Sequence, residues 1–355
     1  MSEVHLPRVT VVMPAHNMEA YVERALRSAV NQTYPNLEVL VIDDGSTDRT
    51  PAIIGRFAGA HRNVRVVTSA NAGVAAARNL GLERADSHYV AFLDADDLWA
   101  PGKIEKQVAA LAAHGHNGEW AACYTLYRMI DEGDAIIDNG PSSEERGAFF
   151  DSHLEWNHVG NGSSLLVRRD AALAVGGFDS RYEPCEDFDF QLKLLQRYKM
   201  ELVREYQVGY RIHSAQASRD ELGMRLSRVA VIEGIAESAG LPDTKRKRLL
   251  AQSHLMISQA FISRGSWGKA ARWMASAVIL SPAESALRVK RRLGRDLRRV
   301  WRRATTGSRR PSPRPFDRLD PAAGLDSSSA ISAQQFGPDL AKARARSKSL
   351  AGSAR

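Results

Sequence analysis

Val90-Ala91-Phe92-Leu93-Asp94-Ala95-Asp96-Asp97 runs from an apolar segment, the length of one buried strand, straight into three carboxylates. If the extended geometry continues, Asp94 and Asp96 project to the same side, because side chains two apart share a face of a strand. Two carboxylates on one side at a strand's end repel each other unless a cation sits between them. Oxygen ligands suit Mg²⁺ or Mn²⁺, ions that travel with phosphate groups. The competing reading is a loop or helix start, with Asp97 as the cap of a helix opening near Pro101-Gly102-Lys103.

Working back from this stretch, Val9 to Met13 is a β-rich run that Pro14 is expected to stop. Asn17 is placed to cap a helix whose buried stripe is Val22, Ala25, Leu26, Ala29 and Val30. Leu37 to Ile42 predicts a second strand, broken by the turn formers Asp43-Asp44-Gly45-Ser46-Thr47-Asp48, and a helix follows through Ile53, Ile54 and Phe57. Val64 to Thr68 predicts a third strand, then Asn71-Ala72-Gly73 and an Ala-rich helix carrying Arg78 and Asn79. Strand and helix alternating at this spacing read as an α/β fold, an open, mostly parallel sheet with helices on both faces. Ligands of such sheets sit outside the carboxyl ends of the strands. The polar clusters beginning at Pro14, Asp43, Ser69 and Asp94 all follow strands, so they meet along one edge.

Past the opening stretch the alternation loosens. A helix is expected over Lys103 to Ala113, a strand over Trp120 to Ile130, a polar loop over 131–151, and another strand over Gly162 to Arg168. Gly176-Gly177-Phe178-Asp179 marks a turn. Cys185-Glu186-Asp187 opens a helix with Phe188, Leu192 and Leu195 as its apolar face, its acids placed where the helix dipole favours them. A last strand over Val203 to Ile212 ends at His213, and from about Arg219 the periodicity is helical: Leu249 to Ile262, Lys269 to Leu280 and Ala286 to Arg303.

The chain has 355 residues, 44% of them apolar, enough for a proper core. Cys123 and Cys185 give neither a disulfide framework nor a zinc spacing. The first residues lack the blocks of a signal peptide, and no apolar stretch approaches the roughly 18 residues that span a bilayer. The expectation is a cytoplasmic protein, soluble or peripheral at the inner face of the plasma membrane. The 49 Lys and Arg against 41 Asp and Glu are unevenly spread, with the arginines gathered near the end.

Taken together, Val12-Met13-Pro14-Ala15-His16-Asn17, Val41-Ile42-Asp43-Asp44-Gly45-Ser46-Thr47-Asp48, Asn71-Ala72-Gly73 with Ala77-Arg78-Asn79, Leu93-Asp94-Ala95-Asp96-Asp97, Gly176-Gly177-Phe178-Asp179 and Cys185-Glu186-Asp187 resemble, in order, the motifs of family 2 glycosyltransferases with the GT-A fold. The resemblance covers about 8–215. It implies a nucleotide-binding half over 8–100, an acceptor half over 101–215, a helical extension over 216–303 with a basic amphipathic last helix, and a disordered tail over 304–355.

The activity implied is an inverting transfer of a sugar from a nucleoside diphosphate sugar, UDP-linked by default, to a hydroxyl of a glycan or lipid-linked acceptor. The resemblance puts Pro14, Ala15 and His16 at the base, Asp43 and Asp44 on the base or ribose, and Gly73, Arg78, Asp94 and Ala95 along the nucleotide sugar. It makes Asp96 the ligand of Mg²⁺ or Mn²⁺, with Asp94 and His213 as further candidates, and Asp187 the general base that takes the acceptor's proton. Residue by residue, plainer roles compete. Asp43 and Asp44 also suit a capped turn, Arg78 an exposed helix position, Asp187 a helix-start acid and His213 a structural histidine. Asp189 is a rival base that helical geometry points away from Asp187, and Cys185 suits packing.

Some processive relatives carry a Gln-x-x-Arg-Trp motif followed by membrane helices. This chain has neither, which points to single-sugar transfer. Over 286–303, Val289, Leu293, Leu297, Val300 and Trp301 form a stripe ringed by arginines and lysines, as in a helix lying on anionic lipid. The same stripe also suits packing on the preceding helices, and nucleic acid is a third, weaker partner. Two rival functions are a sugar-phosphate nucleotidyltransferase and a non-catalytic nucleotide-sugar scaffold. The first expects a Gly-rich basic loop where Met13-Pro14-Ala15-His16-Asn17 stands, and the second expects loss of Asp96 or Asp187.

Overall fold

The computed structural model describes residues 6–115, 118–214, 216, 220–288 and Phe316. The first unit is β1 Val9–Ala15, α1 Val22–Val30, β2 Leu37–Asp44, α2 Thr50–Ala60, β3 Val64–Ser69, α3 Val74–Arg84 and β4 Tyr89–Phe92. Its four strands lie side by side, all parallel, in the order β3-β2-β1-β4. On β1, Val9, Val11 and Met13 pack with α1 residues such as Leu26, whereas Val12 packs with α3 residues such as Leu82. A strand buried on both faces is therefore apolar almost throughout, which is why the run is legible in sequence. Gly81 lets α3 lie close on β1, since a Cβ there would meet Val12 Cγ1 at 2.2 Å.

Pro14 does not stop β1, which pairs with β2 through Ala15. The physical reason is direction. Val12 O accepts from Leu93 N, so Val12 and, two residues on, Pro14 point toward β4, whose pairing with β1 has ended at Phe92. The N–H that Pro14 lacks would have had no strand to meet. Asn17 is not the helix cap either. The N-cap of α1 is Tyr21, while Asn17 takes a left-handed conformation at φ 53° and its Oδ1 accepts from Thr47 N at 2.8 Å.

Beyond β4 the sheet turns mixed. The elements are β5 Leu98–Trp99, α4 Lys103–Ala112, β6 Trp120–Ile130, β7 Ile136–Asn139, α5 Phe150–Glu155, β8 Leu166–Arg168, α6 Arg169–Ala174, α7 Glu186–Arg197 and β9 Lys199–Arg211. The sheet continues β4-β8-β6-β9-β5, with β7 on β6. β8 is antiparallel to both neighbours and β6 is parallel to β9. The stretch 131–151, expected as loop, contains β7 and the start of α5, and the strand expected from Gly162 is a 3-10 turn, Gly162–Ser164, before β8.

Three helices follow, α8 Glu221–Ser238, α9 Asp243–Ser263 and α10 Trp267–Leu280. Cys185, Phe188 and Leu192 on α7 form one buried cluster with Val231, Ile232, Leu249 and Leu250, so the extension is fastened to the outer side of α7. Of the helix expected over 286–303, the positions to 288 are helical and the remainder lies outside the described residues. The same holds for the expected disorder of 304–355 with one exception. Phe316 is buried against Leu98, Ala100 and Ile130, and its N–H donates to Asp134 O, because a large apolar ring has somewhere to go at this end of the sheet.

Candidate active site

A cavity of about 400 Å³ lies at the carboxyl ends of the parallel strands, where the polar clusters converge. Its wall includes Pro14, Ala15 and His16 from the end of β1, Asp44 from β2, Gly73 and Arg78 from α3, Asp94, Ala95 and Asp96 after β4, and Asp187 from α7. Asp43 and His213 are buried and do not line the cavity, but His213 contacts Asp96, which does.

The loop after β4 is pinned by side chains that its sequence does not announce. Ser163 Oγ accepts from Asp94 N at 3.1 Å and donates to Asp97 Oδ2 at 2.6 Å. Asp97 Oδ1 accepts from Arg211 N at 2.9 Å, at the end of β9. Asp97 is therefore no helix cap. It is fully buried, the residue after it enters β5, and the N-cap of α4 is Gly102. Burial, with Asp96 and Asp94 adding to it, pushes the Asp97 carboxyl well above its ordinary range. Asp97 anchors the loop, and Asp94 and Asp96 are the two acids that reach the cavity.

Arg78 joins this loop to α7. Its Nη2 donates to Asp94 Oδ1 at 2.6 Å and its Nη1 to Glu186 Oε1 at 2.5 Å, with the guanidinium 5.3 Å from the Phe178 ring centre. Burial alone would lower its pKa, but Asp94, Glu186 and Asp187 outweigh burial and raise it, so the charge is kept. The residue is 4% exposed, which excludes the exposed-helix reading. Arg78 Nε and Glu186 Oε2 are buried and have no hydrogen-bond partner among the described residues. Orphaned polar atoms in a cavity wall cost free energy that a polar ligand can recover.

Asp187 stands in the first turn of α7, and its Oδ1 accepts from Phe188 N at 2.7 Å. Burial first, then the neighbouring Glu186 charge, push its carboxyl up to about 7, with Arg78 pulling the other way. A carboxylate poised near neutrality is suited to taking a proton. Asp189 faces elsewhere and pairs with Lys193 Nζ at 2.6 Å.

At the other end of the cavity, His16 Nδ1 lies 2.8 Å from Asp44 O and Nε2 3.2 Å from Asn17 Nδ2. A carbonyl only accepts, so Nδ1 carries the proton. Asp43 Oδ1 accepts from Ser46 N at 3.2 Å, closing its own turn. Asp44 Oδ1 accepts from Ser69 Oγ and Ala72 N, both at 3.0 Å, and Oδ2 from Gly73 N at 2.9 Å. Both acids thus do the turn-holding work that the plainer reading assigned to them, and only Asp44 also faces the cavity. Gly73 has φ +94°, and a Cβ there would meet Glu183 Oε1 at 2.8 Å. Glu183 Oε1 accepts from Ala75 N at 2.9 Å, so a carboxylate sits at the start of α3.

For a divalent ion, the fitting donors are Asp96 Oδ2 and His213 Nε2, which face each other at 2.9 Å. A carboxylate and an imidazole suit Mn²⁺ well and Mg²⁺ acceptably. Asp94 gives its Oδ1 to Arg78. Among the described residues no group of three or more His, Cys, Asp or Glu is arranged to hold an ion, so the remaining ligands would come from phosphate or water.

Sequence reasoning missed Ser163, Arg211 and Glu183. Arg211 gave little signal, standing at the end of a strand that also carries Lys199, Glu201, Arg204 and Glu205. Ser163 and Glu183 had none, since each works through a contact made by the fold.

The model of glycosyl transferase family 2 matches residues 10–172. The putative teichuronic acid biosynthesis glycosyltransferase TuaG of Bacillus subtilis (strain 168) is 42% identical over 133 residues, 37% of this chain and 51% of the relative. Among solved structures, S. aureus TarS 1–349 in complex with UDP-GlcNAc matches with TM-score 0.57 at 16% identity, covering 76% of this chain and 81% of that one. Mannosyltransferase PcManGT from Pyrobaculum calidifontis, in complex with GDP-Man and Mn²⁺, matches with TM-score 0.55 at 22% identity, covering 84% of each chain. At these identities the two structures establish the GT-A fold alone. The chain spans 19% to 51% of the length of the first four curated relatives that it matches. The matched segment carries the four post-strand clusters and the acidic loop of the cavity, and over that segment the chain is similar to glycosyl transferase family 2.

Proposed function

We propose that this protein transfers a sugar, with inversion, from a nucleoside diphosphate sugar to an acceptor hydroxyl. The observation that carries the reading is the bridge Asp94–Arg78–Glu186, which fixes the acidic loop and the start of α7 across one cavity. Such a bridge gives a transferase both of its working ends, one for the leaving group and one for the attacking group.

The acceptor oxygen attacks the anomeric carbon while the bond to the diphosphate breaks and its electron pair passes to the phosphate oxygen. Asp187 takes the proton that the acceptor hydroxyl loses. Arg78 offers Nε to the donor and sets the charge around Asp187. Pro14, Ala15 and His16 line the base end. Asp44 holds Ala72 and Gly73 so that their loop borders the nucleotide, and Asp43 supports it from behind. Asp96 and His213 would hold the divalent ion, which supplies positive charge against the leaving diphosphate.

UDP is the default nucleotide, with GDP and dTDP as rivals, and TarS and PcManGT were solved with one donor of each of the first two kinds. The acceptor is read as a glycan or lipid-linked glycan of the cell surface, in line with the name of the TuaG relative. No described helix is long and apolar enough to cross a membrane, and the location proposed is the cytoplasmic face, with 286–303 as a peripheral contact.

Calorimetry of UDP, GDP and dTDP with and without Mn²⁺ tests the donor reading. At least one should bind, about tenfold or more tighter with the ion, since 1.4 kcal/mol is a factor of ten. In Asp96→Ala the dependence on the ion should disappear while weak binding persists. Failure of all three nucleotides would sink the donor reading, and an undiminished ion effect in the variant would refute the role of Asp96.

A further inference from the structure

α10 is built the wrong way round for a helix that belongs to a soluble domain. It buries two alanines, Ala270 and Ala277, against α9, and its approach is close enough for Ser258 Oγ of α9 to reach Ala270 O at 2.8 Å. Trp273 and Leu280 are partly covered, Trp273 by His254 of α9, but four other large apolar side chains face out. Trp267 is 68% exposed and Ile279 82%, and Met274 and Val278 are exposed beside them. Positions 267, 274 and 278 share one helical stripe, so this is a continuous face rather than scattered residues.

Charge decides what covers it. α10 has Lys269 and Arg272, both exposed, and no acid anywhere along Trp267–Leu280. The sequence over 288–303 then carries nine Arg and Lys against one Asp. Were that segment, or the α10 face of a second copy, to lie on α10, it would bring cations against cations. An anionic surface satisfies both at once, taking the apolar side chains into its acyl boundary and the cations at its headgroups. Trp is the residue that favours that boundary.

We propose that the outer face of α10, with Trp267, Met274 and Val278 along one edge and Ile279 and Arg272 along the other, is a surface by which this protein docks on an anionic lipid bilayer. α9 packs between α8 and α10, and Met224 of α8 lies in the cavity wall, so the helical extension joins the docking face to the site. The inference does not depend on the transfer reaction.

Flotation of the full chain with phosphatidylcholine vesicles, with and without phosphatidylglycerol, tests it. The protein should float with the anionic vesicles at least tenfold more than with the neutral ones. The variant Trp267→Gln/Met274→Gln/Val278→Gln/Ile279→Gln should lose at least tenfold of that binding while keeping its circular dichroism and melting temperature. Trp267→Phe should lose the blue shift of fluorescence on vesicle addition. Equal binding to neutral vesicles, no binding at all, or full binding by the fourfold variant would overturn the proposal. So would a concentration-dependent dimer, in sedimentation velocity, that the fourfold variant abolishes without changing flotation.

Discussion

Arg78 and Arg211 are both buried and both hold the loop at 94–97, yet they are paired in different ways. Arg78 pairs with the side chains of Asp94 and Glu186, inside the cavity wall, and leaves Nε without a partner. Arg211 donates to backbone, from Nε to Asp96 O at 2.6 Å and from Nη1 to Asp131 O at 2.7 Å, while its Nη2, which makes no hydrogen bond among the described residues, forms an ion pair with Asp134 Oδ1 at 2.6 Å. Backbone partners fix the path of a loop. Carboxylate partners in a cavity set the charge that a ligand meets, and they can be re-aimed when it binds. The first arginine belongs to the chemistry, and the second to the scaffold that presents it.

The largest effect should come from Arg78→Met. It strands Asp94 and Glu186 next to Asp187, and we expect transfer to fall about 100-fold or more, with loss of nucleotide affinity, because the variant removes positive charge from where negative charge gathers. The pH profile sharpens the contrast. With Asp187 as base, kcat/KM should rise through an apparent pKa near 7 and then level off. Arg78 lowers the Asp187 pKa, so its removal should move that limb to higher pH. Arg211→Met should instead cost stability, about 3 kcal/mol in urea unfolding, by leaving Asp96 O and Asp131 O without their donor and the loop unpinned, and should leave the limb in place. A limb that moves in Arg211→Met and stays in Arg78→Met would reverse the assignment.

A smaller effect concerns stability against pH. Folding raises the Asp187 pKa from 3.8 to about 7, so the native state holds this proton more tightly than the unfolded chain does. Its contribution is then unfavourable above the unfolded value and grows until the folded value is passed. Asp187→Asn should therefore raise the stability at pH 8 by on the order of 1 kcal/mol and leave it unchanged near pH 3.5, as read by thermal melts.

Lys103 extends the comparison to a cation with no carboxylate partner among the described residues. It is fully buried, donates from Nζ to Gln107 Oε1 at 2.7 Å and lies 4.1 Å from the Trp99 ring centre. Burial lowers its pKa to about 7, against 10.5 unperturbed. Its cost to stability is largest below about pH 7 and fades as pH rises toward the unfolded value. Lys103→Met should thus stabilise at pH 7 by roughly 1 kcal/mol and the gain should vanish near pH 10.5.

The two halves of the domain were unequally legible. In 8–100 the strands β1, β2 and β4 are buried on both faces, β3 is a largely exposed edge strand, and each of the four is followed by its own polar cluster, so the order of the elements and most of the cavity wall can be read from hydrophobic runs and their ends. Beyond Asp97 the sheet alternates direction, and the elements that matter are short. β5 has two residues and β8 three, too few for any period to show. Asp97 read as a cap because an acid before Pro-Gly normally is one; the fold buries it under Ser163 and Arg211 instead. Glu186 and Asp187 were legible as helix-start acids, whereas the arginine that ties them to Asp94 lies 108 residues away from Glu186 in sequence, and only the folded chain brings the two together.

The central claim is that Asp187 takes the acceptor's proton while the acidic loop serves the leaving diphosphate. Single-turnover transfer of an isotope-labelled sugar by Asp187→Asn, with nucleotide binding measured on the same preparation, tests it most directly. The account predicts a loss of about 10²–10⁴ in the transfer rate with nucleotide affinity retained, the range general-base catalysis commands. Full transfer activity in that variant would contradict it.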